Sequence, residues 1–242
     1  MEVKASEMEI QQDLRSCFVT GTDTGVGKTR FTVHLLRTLA QHVAYQNKRI
    51  VGMKPVAAGS ALLNGRYDND DVLLLRSASN WSAPPELDNP MLLHDALSPN
   101  LAAQRAGVEI DVGHLVCCHR RLMQQADVVV VEGAGGFLVP LSNELTGADL
   151  ATALGLPVIL VVGLRLGCLN HALLTAEVIR SKGLRLAGWV ANEIDVNMLA
   201  KQENILFLQN KLKAPLLAHM LFEEFPSSQL PNIDISKMWS IE

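Results

Sequence analysis

The stretch that decides the fold is CFVTGTDTGVGKT, residues 17 to 29, an apolar run followed by three glycines, a lysine and a threonine. The β-rich residues 17–20 predict a strand, and a helix is predicted to begin at Lys28. The small residues between them let successive backbone N–H groups turn toward one anion, to which the helix N-terminus adds partial positive charge. The stretch therefore predicts a phosphate-binding loop.

This loop differs by one residue from the P-loop pattern. The pattern has four residues between its first glycine and its Gly-Lys pair, whereas five residues separate Gly21 from Gly27. An ordinary glycine-rich turn is the alternative, but strand, loop, Gly-Lys-Thr and helix follow in the required order. In a P-loop, Lys28 reaches the outer phosphates and the Thr29 hydroxyl holds Mg²⁺.

Outward from the loop, β-rich runs alternate with segments of helix length. The runs predict strands over 17–20, 49–54, 127–132, 157–162, 186–190 and 215–218, and helices over 28–44, 70–77, 99–106, 111–125, 170–182 and 197–212. This order predicts a single-domain, three-layer α/β fold with a mostly parallel central sheet and helices on both faces. A hydrophobic fraction of 48% suits such a doubly covered sheet. Residues 80–90 and 225–231, which are rich in proline, are predicted loops.

Composition narrows the classes of partner. The net charge of −4 gives no general attraction to nucleic acid or anionic lipid, and no segment has the apolar length to cross a bilayer. Residues 1–15 lack a signal-peptide pattern and are predicted to be a polar extension of a domain spanning 16–242. The four cysteines, Cys17, Cys117, Cys118 and Cys168, predict buried reduced thiols and a cytoplasmic protein that acts on small molecules.

Charged residues follow two further predicted strands. Pro55 ends the second strand and leaves Lys54 at the carboxyl edge of the sheet, where a second cation can meet the same phosphate; a solvated surface lysine is the alternative. A strand of valines delivers Glu132 to that edge. Mg²⁺ is usually bound by one or two carboxylates and phosphate oxygens, so Glu132 with Asp71 or Asp70 can complete what Thr29 begins.

Some of the polar residues can instead be explained by a role at the N-terminus of a helix. The acidic run 68–71 is also typical of a helix N-terminus, with Asp68 as the cap. His171 follows Asn170 at a predicted helix start, and a local role with Asn170 as the N-cap is favoured over acid–base catalysis.

Six segments together resemble the dethiobiotin synthetase family. These are GTDTGVGKT (21–29), KPVAAGS (54–60), NDD (69–71), VVVEGAGG (129–136), LPVILVVGLRLGCLNHALLTAEVI (156–179) and LAGWVAN (186–192). The resemblance covers roughly residues 17 to 217 and is more specific than any one motif. It implies an ATP-dependent ligase that acts on diaminononanoate and CO₂ with Mg²⁺. One amine forms a carbamate, a carbamate oxygen attacks the γ-phosphorus of ATP, and the second amine closes the cyclic urea and expels phosphate.

The resemblance also assigns residues to roles. Lys28 and Lys54 would neutralise the transferring phosphoryl group and the carbamate, and Thr29, Asp71 and Glu132 would hold Mg²⁺. The substrate carboxylate would lie near Leu166, Gly167, Cys168 and Asn170 of a neighbouring subunit, which implies a homodimer. The nucleotide would contact Thr24, Gly25, Val26, Gly27, Lys28, Thr29 and, at the adenine, Asn192.

Two other classes share the phosphate loop. A related amide-forming ligase would normally carry a glutaminase region with a nucleophilic cysteine, which Cys117 and Cys118 in a helix-like run do not suggest. A partition-type switch ATPase would usually have a second lysine early in the loop, where Thr22 and Asp23 stand, and often a basic surface. The sequence favours the synthetase over both.

Overall fold

The computed structural model describes residues 15–63, 65–222 and 232–238. Apart from Arg15, the predicted extension lies outside these residues, as does the predicted loop 225–231. The strands are β1 (Ser16–Gly21), β2 (Ile50–Met53), β3 (Val56–Ala58), β4 (Ala61–Leu63), β5 (Arg66–Asp68), β6 (Met91–Leu93), β7 (Val128–Glu132), β8 (Val158–Leu164), β9 (Leu186–Glu193) and β10 (Leu216–Met220). The helices are α1 (Lys28–Gln41), α2 (Asp70–Ala78), α3 (Pro85–Asp88), α4 (Pro99–Ala106), α5 (Val112–Met123), α6 (Gly147–Leu154), α7 (Cys168–Ser181) and α8 (Lys201–Lys211).

The six predicted strands form one parallel sheet in the order β10-β9-β8-β1-β7-β2. Parallel neighbours need crossover connections, and the helices supply them. Strand β1 lies inside the sheet, so its carboxyl end meets those of β7 and β8 at one edge, where ligands of such sheets bind. Two small pairs, parallel β3-β6 and antiparallel β4-β5, lie outside the main sheet.

Alternate residues of each strand enter different cores. In β7, Val129 and Val131 pack with α5, α6, α7 and α8, whereas Val128 and Val130 pack with α1, α2 and residues 233–238. Both cores are apolar and buried, as successive strand side chains point to opposite faces. The predicted three-layer α/β fold is confirmed.

Two predictions about helix N-termini, those for α2 and α7, are wrong. Asn69, not Asp68, caps α2, because the extended backbone at Asn69 lets its Oδ1 accept from the N–H groups of Asp71 and Val72. Asp68 is instead paired with Arg76. Helix α7 begins at Cys168, after Gly167 in the left-handed conformation, so Asn170 lies within the first turn rather than at the cap.

Three further predictions need correction. The stretch 80–90 holds the short helix α3, with Pro85 at its first position, where the missing N–H costs nothing. Helix α6 was not predicted, although Thr146 and Asp149 form a reciprocal cap at its start. All four cysteines are free thiols, but Cys117 is exposed, because it lies on the solvent side of α5, unlike Cys118.

No helix in the described ranges is both long enough and apolar enough to cross a membrane.

Candidate active site

The loop between β1 and α1 has the backbone of an anion cradle. Gly25 and Gly27 have φ values of 73° and 91°, a region that glycine adopts readily and other residues rarely do. A Cβ at Gly27 would lie 2.1 Å from Nδ2 of Asn192. No side chain of the described residues caps α1, and its first turn holds no acidic residue. The N–H groups at this helix start are therefore available to an anion.

Lys28 is folded back over this loop. Its side chain is buried, and Nζ donates to the backbone oxygen of Asp23 at 3.0 Å. Burial, and then the charge of Lys54, lower the pKa of Lys28 to about 8. A phosphate group in the loop would restore the charged form, because an anion close to an ammonium favours it.

Four side chains from four elements converge beside the loop. Thr29 comes from α1, Lys54 follows β2, Asp71 lies in the first turn of α2, and Glu132 ends β7. Nζ of Lys54 donates to Oε1 of Glu132 at 2.5 Å and to Oδ2 of Asp71 at 2.7 Å. Oγ1 of Thr29 lies 2.8 Å from Oδ1 of Asp71 and 2.8 Å from Oε1 of Glu132. We call Thr29, Lys54, Asp71 and Glu132 the acidic cluster.

Burial makes the acidic cluster unusual. Lys54 is 5% exposed and Glu132 is 0% exposed, so the solvated surface lysine is excluded. Burial opposes the charge on Lys54, but Glu132 and Asp71 outweigh it and raise the pKa of Lys54. Burial likewise opposes the charge on Asp71, and Lys54 outweighs it, so the pKa of Asp71 is lowered. Asp70, the alternative to Asp71, is exposed.

The acidic cluster has more acceptors than donors. The single hydroxyl hydrogen of Thr29 can reach only one of the two carboxylate oxygens beside it. The buried Oε2 of Glu132 has no hydrogen-bond partner in the part of the chain that the structure describes. Among the described residues no group of three His, Cys, Asp or Glu side chains could hold a metal ion alone. Two carboxylates and a hydroxyl nevertheless suit Mg²⁺, which takes its remaining ligands from water and phosphate.

Asn192, near the carboxyl end of β9, contacts both the phosphate loop and helix α1. It is 2% exposed. Its Nδ2 donates to the backbone oxygen of Val26 at 2.8 Å, and its Oδ1 accepts from Nη1 of Arg30 at 2.9 Å. Arg30 follows Gly-Lys-Thr directly but is not among the predicted site residues. Two of its partners, Asn192 and Leu221, lie 162 and 191 residues away along the chain, so no local pattern indicates these contacts.

The predicted substrate segment lies at the start of α7. Leu166 is 95% exposed and Cys168 is buried, while Asn170 and His171 are exposed. Within the described ranges, no side chain caps this helix start. Arg165 donates to Oδ2 of Asp23 at 2.6 Å, which ties the segment to the phosphate loop.

A cavity of about 250 Å³ separates α7 from the phosphate loop. Most of the side chains around it are apolar: it is lined by Thr22, Gly136, Phe137, Leu138, Val139, Leu174, Thr175 and Val178.

Comparison with solved structures shows the same fold. The septum site-determining protein MinD from Pyrococcus horikoshii superposes with a TM-score of 0.56 at 15% identity, over 87% of this chain and 82% of that one. A ParA family ATPase from Chlorobium tepidum gives a TM-score of 0.54 at 14% identity, over 88% and 86% of the two chains. At this identity the likeness concerns the fold alone.

Sequence relatives are much closer. A family model described as an AAA domain matches residues 15–224. The ATP-dependent dethiobiotin synthetase BioD of Nitrosospira multiformis is 51% identical over 86% of this chain and 88% of its own length. The ATP-dependent dethiobiotin synthetase BioD of a Janthinobacterium species is 45% identical over 91% and 94%. The chain therefore belongs to the family of ATP-dependent dethiobiotin synthetases.

Proposed function

We propose that this protein is an ATP-dependent dethiobiotin synthetase, a ligase that carboxylates 7,8-diaminononanoate with CO₂ and closes the ureido ring through a carbamic-phosphoric anhydride. The observation that carries the proposal is the buried acidic cluster beside a phosphate loop, in a chain 51% identical to a synthetase of that name. A non-catalytic nucleotide-binding protein has no need of a lysine held between two carboxylates at this point.

The chemistry balances without a covalent enzyme intermediate. One amine adds to CO₂ and loses a proton, giving a carbamate. A carbamate oxygen attacks the γ-phosphorus, and ADP leaves. The second amine attacks the carbonyl carbon of the anhydride and loses a proton, the C–O bond to phosphate breaks, and phosphate departs as the ring closes. Catalysis is therefore mainly positioning and neutralisation of charge.

Two lysines serve as the cations of this reaction. Lys28, at the start of α1, would release Asp23 and contact the outer phosphates. Lys54, fixed by Glu132 and Asp71, would neutralise the carbamate and the transferring phosphoryl group. Fixed donors in a buried site are worth far more than the same groups in water. These are the proposed catalytic residues.

The nucleotide and the metal would share the loop. The proposed nucleotide contacts are Thr24, Gly25, Val26, Gly27, Lys28, Thr29 and Asn192. We propose that Thr29, Asp71 and Glu132 hold Mg²⁺, which fits the unpaired oxygen of Glu132. When bound, the ion supplies neutralisation of the phosphate charge that develops during transfer.

The diamine would lie in the cavity beside α7. Its aliphatic chain matches the apolar lining, and its carboxylate suits an uncapped helix start such as the one formed by Leu166, Gly167, Cys168 and Asn170. The family implies that this helix start comes from a neighbouring subunit of a homodimer. Leu166 is almost fully exposed and is therefore accessible to such a neighbouring subunit.

Two coarser features complete the proposal. Residues 1–15 are proposed to be an extension of the domain 16–242. The four free thiols support a reducing compartment, which we take to be the cytoplasm.

The test is phosphate release with MgATP and bicarbonate, with and without diaminononanoate, followed by mass spectrometry of the product. Release that depends on the diamine, together with dethiobiotin, is the expected result. Release that is independent of the diamine would indicate a nucleotide switch, and no release with any diamine would exclude the synthetase.

A further inference from the structure

Of the three charged members of the acidic cluster, Asp71 is held least by packing. Its side chain is 42% exposed, whereas those of Lys54 and Glu132 are 6% and 0% exposed. It lies in the first turn of α2. Because an exposed carboxylate on a first turn is placed by the backbone of that turn, the contacts that hold the start of α2 decide where the carboxylate of Asp71 lies.

The amide of Asn69 joins this turn to the end of β3. Its Oδ1 accepts from the N–H of Asp71 at 3.0 Å and from that of Val72 at 3.4 Å. Its Nδ2 donates to the backbone oxygen of Gly59 at 2.9 Å and to that of Ala58 at 3.3 Å. One side chain therefore ties the start of α2 to the end of a strand.

These bonds close a ring that includes Lys54 and Asp71. Strand β3 begins two residues after Lys54, and Nζ of Lys54 donates to Oδ2 of Asp71 at 2.7 Å. Asn69 then connects the start of α2 back to the end of β3. The N–H of Gly59 donates to the backbone oxygen of Leu93, at the end of β6, at 3.1 Å. The end of β3 is thus fixed, and Asn69 positions Asp71 relative to it.

The bridge explains why an amide stands at position 69. An aspartate would keep the N-cap, but it would turn a carboxylate oxygen, which only accepts hydrogen bonds, toward the backbone oxygens of Ala58 and Gly59. Asparagine alone serves both ends. We propose that Asn69 is a positioning residue, which holds Asp71 in place as a ligand of the divalent cation. The inference rests on the proposed function.

The test measures the affinity of Mn²⁺ for the complex of the protein with ADP, by electron paramagnetic resonance. Carboxylates and water suit Mn²⁺ as they suit Mg²⁺. Asn69→Ser keeps a good N-cap and removes both Nδ2 contacts. Asn80→Ser is the matched control. Asn80 also accepts from a backbone N–H, that of Ile50, and donates to a backbone oxygen, that of Lys48, but just beyond the other end of α2.

We expect Asn69→Ser to raise the dissociation constant of Mn²⁺ by about tenfold, because the loss of a group that orients a metal ligand typically weakens metal binding by this factor or more. Asn80→Ser should leave the constant within about twofold of the wild-type value. A change of less than about threefold in Asn69→Ser, or an equal loss in both variants, would overturn the proposal.

A double-mutant cycle separates positioning from a general effect on the fold. In an Asp71→Asn background the charged ligand is already gone, so Asn69→Ser should weaken Mn²⁺ binding by no more than about twofold further. Losses that add in full would show that Asn69 does not act through Asp71, and would refute its role as a positioning residue.

Binding of Mn²⁺ needs no turnover, so it distinguishes this inference from the proposed function. A selective loss of Mn²⁺ affinity in Asn69→Ser supports the role of Asn69 even if the wild-type protein makes no dethiobiotin. Dethiobiotin formation by a protein whose Mn²⁺ affinity does not depend on Asn69 would refute the inference and leave the proposed function intact.

Discussion

Lys54 is buried, which is rare for a lysine. A lysine at 5% exposure is tolerated because two carboxylates lie within 2.7 Å of its Nζ, and they hold it at one point beside the phosphate loop. The same contacts fix Asp71 and Glu132. The three charges therefore form one unit, in which the removal of one member alters the other two.

Replacing Lys54 tests this unit. Lys54→Met should lower kcat/KM for dethiobiotin formation by about 10²- to 10³-fold, the size found when one fixed donor to a reacting anion is lost. Lys48→Met, which removes an exposed lysine paired with Asp127 at 3.8 Å, is the control and should have little effect. MgADP should still raise the melting temperature of Lys54→Met, which shows that the loop is folded. Activity within threefold of wild type would contradict the role of Lys54.

Lys28 predicts a pH-dependent uptake of protons. Its pKa is about 8 in the protein without nucleotide, and phosphate should raise it. MgADP binding should therefore take up about 0.7 proton at pH 8.5 and almost none at pH 7. Calorimetry in buffers of different ionisation enthalpy measures this number. Equal uptake at the two pH values would show that Lys28 does not meet the phosphates.

The lowered pKa of Lys28 also affects the folding stability of the protein without nucleotide. The pKa of Lys28 in the folded protein, about 8, is below the ordinary lysine value of 10.5, so the unfolded chain binds more protons between these two pH values. This group therefore destabilises the folded state below pH 8, and the penalty disappears as the pH rises toward 10.5.

At the level of secondary-structure elements, a buried polar contact between Ser16 and His119 joins β1 to α5. Oγ of Ser16 donates to the backbone oxygen of Val129 and lies 2.9 Å from Nε2 of His119. Since the one hydroxyl hydrogen is used, Nε2 must donate to Ser16. Burial, and then Arg120, lower the pKa of His119 to about 4.

The lowered pKa of His119 predicts that the folded state loses stability in acid. Its pKa is lowered on folding, so the unfolded chain binds more protons below pH 6.5, and stability present above that pH is lost as the pH falls toward 4. The loss at pH 5 should be about 2 kcal/mol. His119→Gln keeps a donor but does not titrate, so its unfolding free energy should fall less between pH 7 and pH 5.

Urea unfolding at the two pH values measures the effect of His119. His94→Gln, which changes a histidine with a 70% exposed side chain, should retain the wild-type acid dependence. An unchanged acid dependence in His119→Gln would show that other groups are responsible.

The six strands of the main sheet, and most of the helices, could be predicted from the sequence because their signals are local, whereas the three-residue strands β3, β4, β5 and β6 were not predicted. The valine run before Glu132, the glycine loop before Lys28 and the proline at 99 each act within a few residues. The cap of α2 was assigned one residue too early, because Asp68 and Asn69 are both good caps and Arg76 selects between them by pairing with Asp68. Helix α6 was missed because its cap uses Asp149 rather than the more familiar Glu or Gln.

The acidic cluster could be predicted because parallel strands end at one edge. Lys54 follows β2 and Glu132 ends β7, and these strands are neighbours in the sheet, so the strand pattern alone brings the two residues together. The contact between Arg30 and Asn192 could not be predicted in this way. This contact depends on the position of β9 and β10 beyond β8 in the sheet and on the direction of the two side chains. No local sequence pattern predicts either feature.

At the level of the whole molecule, Leu166 marks a surface that a second copy could cover. Leu166→Asp should shift a dimer toward monomers in sedimentation velocity and raise the KM for diaminononanoate, while MgADP binding persists. Buried charge at an interface is costly, so a change of at least tenfold in the dimer dissociation constant is expected. Leu199→Asp, at an 87% exposed leucine before α8, is the matched control. A wild-type monomer with full activity would refute the shared site.

The most direct test of the central claim follows oxygen through one turnover. Enzyme in excess over MgATP and diaminononanoate is mixed rapidly with ¹⁸O-labelled bicarbonate and quenched before the label exchanges with water. If a carbamate oxygen attacks the γ-phosphorus, the phosphate released with dethiobiotin carries ¹⁸O. Dethiobiotin accompanied by unlabelled phosphate would contradict the anhydride, and phosphate formed without dethiobiotin would contradict the synthetase itself.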